Sequence, residues 1–187
     1  VQEAHDIALC AHIASLRASL PFVHFFDGFR TSHETCNIRV IDEESLKQFV
    51  PWEAVQRHRD RAINPNHPNL RGTAQSPDIY MQLVEAANPT YASVPEIVDK
   101  VFEEMAPVFG RRYRLFEYYG AEDAEDVIVC MGSGANVVHE TVNYLNARGS
   151  KVGVLKVRLF RPWSVKHFLE VLPKTVKRVA VLDRCKD

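Results

Sequence analysis

Five consecutive polar residues near the start of the chain offer a fixed cation, two hydroxyls, a titratable imidazole and a carboxylate. They are Arg30, Thr31, Ser32, His33 and Glu34. The apolar residues 22–26 before them predict a short buried strand that ends at the Asp27-Gly28 turn. Ligands of α/β proteins gather beyond the carboxyl ends of strands, which favours a functional loop. Thr-Ser-x-Glu is also a helix-start or capping-box pattern, so the spacing alone leaves both alternatives open.

A second motif joins an apolar run to a predicted helix through Gly132, Ser133 and Gly134. Free backbone N–H groups at such a turn can hold an anion. The GxGxxG spacing is incomplete, because Val137 stands at its third position, and there is no P-loop lysine. A tight packing turn is the competing interpretation. The nearby His139-Glu140 pair lacks the second histidine of a zinc-binding HExxH motif.

Three arginines and four cysteines are further candidate site residues, and the cysteines indicate no metal site. Arg158, Arg161 and Arg184 lie near predicted strand ends and are expected to meet acidic partners, either together or on a neighbouring domain. The four cysteines are far apart and form no CxxC pair, which argues against zinc or iron–sulfur ligation. This cysteine usage predicts an intracellular, reducing compartment, either the cytoplasm or an organelle. The cysteines are Cys10, Cys36, Cys130 and Cys185.

The composition is that of an ordinary globular protein. The 187 residues are 46% hydrophobic and 25% charged, with a net charge of −1, so no overall field favours nucleic acid or an anionic membrane. No apolar run reaches the roughly 20 residues of a membrane span, and no signal peptide is expected. Because the first residue is not Met and a helix pattern starts at once, the chain is expected to be a piece of a longer protein.

Periodicity predicts that the first half is mainly helical. Strands are expected at residues 22–26 and 37–41, and an irregular segment at residues 64–76. A helix cap is predicted at Asp42, a helix start at Pro77 and a C-cap at Gly110. The expected helices cover residues 2–20, 43–49, 52–63, 78–87 and 94–109.

The second half reads as β-α-β-α-β, which predicts a parallel sheet. Its strands are expected at residues 126–131, 151–157 and 178–182, with helices after the Gly132 turn and at residues 165–172. A further strand is expected at residues 113–118. The fold class is therefore α/β, with a domain boundary between residues 110 and 125.

Several segments resemble the pyruvate:ferredoxin oxidoreductase family, including its pyruvate:NADP+ fusion relatives. FFDGFRTSHE at residues 25–34 is similar to a family signature, and NLRGTAQSPDIY at residues 69–80 differs from the family segment by Ser76 in place of Asn. YRLFEYYG at 113–120, MGSG at 131–134, LKVRLFRP at 155–162 and VLDR at 181–184 follow in the family's order. The resemblance covers essentially the whole chain. Trp163 and residues 135–139 and 185–186 depart from the family, which suggests a divergent branch.

The resemblance implies a thiamine-diphosphate enzyme that oxidatively decarboxylates pyruvate to acetyl-CoA and passes electrons to iron–sulfur clusters. Residues 1–112 would be the end of a pyrimidine-binding-type domain, and residues 113–187 a transketolase C-terminal-like three-layer domain. The implied partners are the other domains of the same polypeptide, a second copy in a homodimer, pyruvate, coenzyme A and an electron acceptor (ferredoxin, flavodoxin or a fused NADP-reductase domain). The groups that bind thiamine diphosphate, Mg²⁺ and the clusters would lie elsewhere, so no cofactor is expected on this segment alone.

Two hypotheses follow. In the first, the chain is a segment of an active 2-oxoacid oxidoreductase, and Arg30–Glu34 shape its cleft or an interdomain contact. In that role Arg30 would pair with a carboxylate of substrate or neighbour, while His33 and Glu34 would orient the loop. In the second, the region is a non-catalytic scaffold for assembly of a larger fusion or complex. The isolated chain is expected to be inactive under either hypothesis.

Overall fold

The structure is a computed structural model that describes residues 1–70, 72 and 74–183. Six helices precede the sheet, and two more connect its last three strands. The helices are α1 (Gln2–Ala18), α2 (Arg30–His33), α3 (Glu43–Phe49), α4 (Trp52–Asp60), α5 (Pro77–Ala86), α6 (Asn88–Phe109), α7 (Gly134–Asn146) and α8 (Val165–Val171). The strands are β1 (Phe116–Gly120), β2 (Asp126–Cys130), β3 (Val152–Val157) and β4 (Arg178–Val181).

The four strands form one mostly parallel sheet in the order β1-β3-β2-β4. Strands β2, β3 and β4 are parallel, and β1 pairs with β3 in the antiparallel direction. The predicted α/β class and β-α-β-α-β order are therefore confirmed. The first strand begins at Phe116 rather than at Tyr113, because the Tyr113 ring packs beside Phe102 and Phe109 of α6, with centroids 6.1 and 5.9 Å away.

Alternate residues of the strands face two different helical layers, as the pleat requires. Val127, Val129 and Leu155 face a core shared with α1, α6 and the partly buried side of α8. Ile128 and Val154 face the opposite side, where α7 covers the sheet. Three layers result. Since α1 and α6 belong to the same core as the sheet, apolar packing runs across residue 112, and the division of the chain there stays a prediction.

A buried carboxylate fastens α1 to the segment before β1. Asp6 is 0% exposed and accepts hydrogen bonds from Arg111 Nη2 at 2.6 Å and Tyr113 Oη at 2.7 Å. Gln2 Nε2 donates to its other oxygen at 2.9 Å. Burial alone would raise the pKa of Asp6, but the hydrogen bonds, led by that from Arg111, outweigh it and lower the pKa.

Two expected strands are absent from the described residues. Residues 22–26 lie outside the sheet and pair with no strand there, so this prediction is wrong. Residues 37–41 are also irregular; instead, the backbone N–H and C=O of Arg39 pair with the side-chain amide of Gln2 at 2.7 and 3.1 Å. The Gln2 side-chain amide thus forms the hydrogen bonds that the backbone N–H and C=O of Arg39 would have made with a neighbouring strand.

Three local signals placed helix ends correctly, whereas α1 and α4 end at Ala18 and Asp60, before the predicted residues 20 and 63. Asp42 Oδ1 accepts from the backbone N–H of Ser45 at 2.8 Å, and Gly110 ends α6 with φ +66°. Pro77 starts α5 as expected. By contrast, α6 begins at Asn88, six residues before the predicted start, and contains Pro95. Among the described helices, none is both long and apolar enough to cross a membrane.

Candidate functional site

Residues 30–34 form one helical turn rather than an open loop or a capping box. The backbone N–H of Glu34 donates to the Arg30 carbonyl at 3.1 Å, and no side chain caps the start of the turn. Phe29, just before it, has φ +56°. This left-handed backbone is uncommon for a residue with a bulky side chain and marks local strain.

The polar side chains of α2 contact one another and remain open to solvent. Arg30 Nη1 lies 3.4 Å from Glu34 Oε1, with the two side chains 75% and 55% exposed. Ser32 Oγ is 2.6 Å from His33 Nδ1, and the His33 ring stacks on Phe29 at 5.3 Å between centroids. An exposed pair such as Arg30–Glu34 contributes only a few tenths of a kcal/mol. The guanidinium is therefore readily available to a stronger partner.

Large apolar side chains are also exposed in the Phe22–Glu34 segment. Phe22 packs against the main core, but Val23 is 85% exposed and Phe29 80% exposed. Phe25 and Phe26 are 59% and 52% exposed. Apolar side chains exposed this close together are typical of surfaces that contact another protein segment.

Asp27 connects this segment to the turn before α7. Its Oδ1 accepts a hydrogen bond from the backbone N–H of Ser133 at 3.0 Å, and its Oδ2 accepts from Ser133 Oγ at 2.7 Å. Thr31 Oγ1 also donates to Oδ1, at 3.1 Å. These bonds, led by that from the Ser133 hydroxyl, lower the pKa of Asp27 to about 2.

The Gly132–Gly134 turn therefore already holds an anion, the protein's own carboxylate. Gly132 has φ +73°, and a Cβ added there would lie 3.4 Å from Asp27 Oδ1. This geometry turns the Ser133 N–H toward Asp27. Sequence reasoning identified the turn but missed its partner, because it assigned Asp27 only a local turn role. Nothing in a single sequence pairs positions 106 residues apart.

The residues of this site do not fit a metal-bound diphosphate. Within residues 1–70, 72 and 74–183, no three His, Cys, Asp or Glu side chains come together as a metal site. Both donors of Ser133 are bonded to Asp27, so a diphosphate would have to displace that carboxylate. We therefore derive no step of the chemistry through thiamine diphosphate or Mg²⁺ from these side chains.

Of the three arginines predicted near strand ends, Arg158 and Arg161 have different contacts. Arg158 is 6% exposed and pairs with Glu3 and Glu117, each at 2.5 Å. The Arg161 guanidinium lies 5.1 Å from the centroid of the Phe160 ring. Arg184 lies outside the described residues, as do Arg71 and Thr73 of the 69–80 motif and the 185–186 departure.

Comparison with known proteins gives two family matches along the chain. Residues 1–103 match "Pyruvate flavodoxin/ferredoxin oxidoreductase, thiamine diP-bdg". Residues 124–186 match "Pyruvate:ferredoxin oxidoreductase core domain II". The unmatched residues between them include the end of α6 and the whole of β1.

Individual relatives match over the whole chain. It is 60% identical to the pyruvate:ferredoxin oxidoreductase of Moorella thermoacetica and 54% identical to the pyruvate-flavodoxin oxidoreductase of Trichormus variabilis, covering 100% of this chain and 16% of each relative. The mitochondrial pyruvate dehydrogenase [NADP(+)] of Euglena gracilis is 54% identical, with 100% and 10% covered.

A solved structure also matches part of the chain. It is 2-oxoglutarate:ferredoxin oxidoreductase from Magnetococcus marinus, at 25% identity and a TM-score of 0.42, covering 61% of this chain and 16% of that one. The chain thus spans a small fraction of the length of the proteins it matches. From its whole-length identity and its two consecutive matches, the chain belongs to the pyruvate:ferredoxin oxidoreductase family.

Proposed function

We propose that this chain is a segment of a thiamine-diphosphate-dependent 2-oxoacid oxidoreductase that converts pyruvate to acetyl-CoA and passes the electrons to iron–sulfur clusters. The observation that carries the proposal is the 60% identity, over all 187 residues, to a pyruvate:ferredoxin oxidoreductase. Thiamine diphosphate, Mg²⁺ and the clusters belong to the full-length protein. Its proposed partners are coenzyme A, an electron acceptor (ferredoxin, flavodoxin or a fused NADP-reductase domain) and a second copy in a homodimer.

Within that enzyme, we assign the Phe22–Glu34 segment to an interdomain contact that shapes the active-site cleft. Its exposed phenylalanines supply apolar surface for the neighbouring domain, and the Asp27–Ser133 bonds hold its base against the sheet. Among the described residues, Arg30 forms its ion pair with the solvent-exposed Glu34. It can exchange that partner for a carboxylate of substrate or of the neighbouring domain, which would form a stronger pair on desolvation.

We also propose a division into two units, residues 1–112 and 113–187. The two consecutive family matches support it, since they end and begin on either side of this position. In this proposal the two units share one apolar core, to which α1, α6 and the sheet all contribute. The spaced cysteines favour an intracellular, reducing compartment for the full-length protein.

The isolated chain is proposed to be inactive and to bind no cofactor by itself. The supporting observation is that both donors of Ser133, in the anion-binding turn predicted from the sequence, are bonded to Asp27. A calorimetric titration of the 187-residue chain with thiamine diphosphate and Mg²⁺ is expected to give no saturable heat. Tight binding would contradict this part of the proposal.

The second candidate function is a non-catalytic assembly scaffold. It is favoured by the fact that the polar side chains of residues 30–34 bond within the protein, Arg30 to Glu34 and Ser32 to His33, as in a loop with a purely structural role. The two functions are separated by assaying the full-length protein for pyruvate- and coenzyme A-dependent reduction of a low-potential dye. Turnover is expected, and its absence from protein loaded with thiamine diphosphate and intact clusters would favour the scaffold.

A further inference from the structure

A second group of polar side chains lies at the carboxyl ends of β2 and β3. The last register pair of these neighbouring strands is Cys130, at the end of β2, with Lys156, one residue before the end of β3. The chain leaves β2 through α7 on one face of the sheet and leaves β3 through α8 on the other. In open α/β sheets, ligands gather beyond the carboxyl ends of neighbouring strands whose connections leave on opposite faces.

The side chain of Lys156 is half-buried on the α7 face of the sheet, between α7 and β1. Its ammonium nitrogen lies 3.1 Å from His139 Nδ1 and 3.5 Å from Asn136 Oδ1, both on α7. It also sits 4.7 Å from the centroid of the Tyr119 ring, which packs against the His139 ring at 4.4 Å. An ammonium group has three donors and no acceptor. All three of its neighbours here are neutral when the imidazole accepts at Nδ1.

The expected counter-ion of Lys156 is engaged elsewhere. Its register partner on β1 is Glu117. Glu117 Oε2 instead makes an ion pair with Arg158 Nη1 at 2.5 Å. The angles of this contact do not meet those of a hydrogen bond. Arg158 also pairs with Glu3. Across the described residues, no carboxylate oxygen lies within 4.0 Å of the Lys156 ammonium. Burial, and next the charge of Arg158, lower the pKa of Lys156, while the more distant carboxylates of Glu3 and Glu117 oppose this shift only in part.

We propose that Lys156, His139 and Asn136 form a binding site for the oxyanion of a small ligand, a carboxylate or a phosphate group. The Lys156 ammonium supplies the charge, and the exposed side-chain amide of Asn136 can present its N–H₂ group to the oxyanion. Asn136 lies in the first turn of α7, where the helix dipole also favours an anion. The Tyr119 ring limits water at one side, which strengthens a charge-assisted bond. This site is separate from the Ser133 donors, which Asp27 occupies.

The test uses the 187-residue chain and NMR spectra of the Lys156 and His139 side chains. Inorganic phosphate and acetate are titrated in separate series, each against sodium chloride at equal ionic strength. We expect saturable shifts at both residues with phosphate, acetate or both, and a rise in the pKa of Lys156 when the anion is bound. Which anion saturates identifies the ligand group. Shifts that stay linear with both, as with chloride, would overturn the proposal.

Matched variants decide whether Lys156 is responsible. Lys156→Gln is expected to weaken binding at least about tenfold, the effect of losing one charge-assisted hydrogen bond. Lys174→Gln removes the same charge from an exposed turn and should leave binding unchanged. Equal affinity in both variants would refute the site. Should Lys156→Gln not fold, Asn136→Ala at an exposed position gives the answer: weaker binding supports the site, and unchanged binding contradicts it.

Discussion

The contact between Asp27 and Ser133 allows a quantitative prediction about stability. Asp27→Asn keeps the size of the side chain but removes the charge that accepts from the Ser133 N–H and Oγ. One pKa unit corresponds to about 1.4 kcal/mol, so the fall of the Asp27 pKa from 3.8 to about 2 sets an upper limit of about 2.5 kcal/mol. Because the carboxylate is partly open to solvent, screening reduces this to about 1 kcal/mol.

The pH dependence follows from the direction of the shift. The pKa of Asp27 is lower in the folded chain, so the stabilisation is complete above the unfolded value of 3.8 and is lost as the pH falls through about 2. We therefore expect Asp27→Asn to reduce the free energy of unfolding by about 1 kcal/mol at pH 7 and by about half of that at pH 3.

Urea unfolding at both pH values measures this difference. Asp60→Asn provides the control, because Asp60 is an exposed residue of α4 and its hydrogen-bond donor, the Gln56 side-chain amide, can also bond an Asn side chain. We expect the control to change stability by less than about 0.5 kcal/mol. If Asp27→Asn lowers the free energy of unfolding at pH 7 no more than the control does, the Asp27 carboxylate does not join the Phe22–Glu34 segment to the Gly132–Gly134 turn.

Two further substitutions test the packing around the site, each by urea unfolding. Gly132→Ala should lower the free energy of unfolding by about 1–2 kcal/mol because the backbone there has φ +73°. Gly134→Ala should leave it unchanged or raise it slightly, since no atom lies within 4 Å of the added carbon. Equal effects of the two substitutions would contradict a strained backbone at Gly132. Asp6→Asn should cost about 3 kcal/mol because it leaves the Arg111 charge without its buried partner. Since the pKa of Asp6 is lowered by folding, that cost should shrink as the pH falls below about 4, and a cost that does not change with pH would contradict this assignment.

Elements governed by local rules were predictable from the sequence. The apolar run of β2, the capping carboxylate of Asp42 and the left-handed Gly110 each depend on neighbours within a few residues. The parallel direction of β2, β3 and β4 followed from the alternation of strands and helices. The prediction of α6 missed residues 88–93, because Asn88-Pro89 predicts a helix break, whereas Pro89 lies in the first turn of α6, where a missing N–H is tolerated.

Features that depend on distant partners were not predictable. Residues 22–26 have the composition of a strand, but no strand of the described sheet offers them backbone partners. The antiparallel edge strand β1 and the Gln2–Arg39 pairing depend on contacts across the fold. The same holds for the site, where α2 was visible as a polar cluster but the link from Asp27 to Ser133 was not. The roles of residues 30–34 stay predictions.

The central claim is that the Phe22–Glu34 segment serves pyruvate turnover in the full-length enzyme. The most direct measurement compares the turnover of two double variants with that of the unmodified protein. Arg30→Ala with His33→Ala is expected to lower kcat/KM for pyruvate at least about tenfold, the effect of about 1.4 kcal/mol of lost interaction. Arg57→Ala with His58→Ala removes the same two residue types from the exposed side of α4 and should retain full activity. Equal activity of both variants would contradict the account.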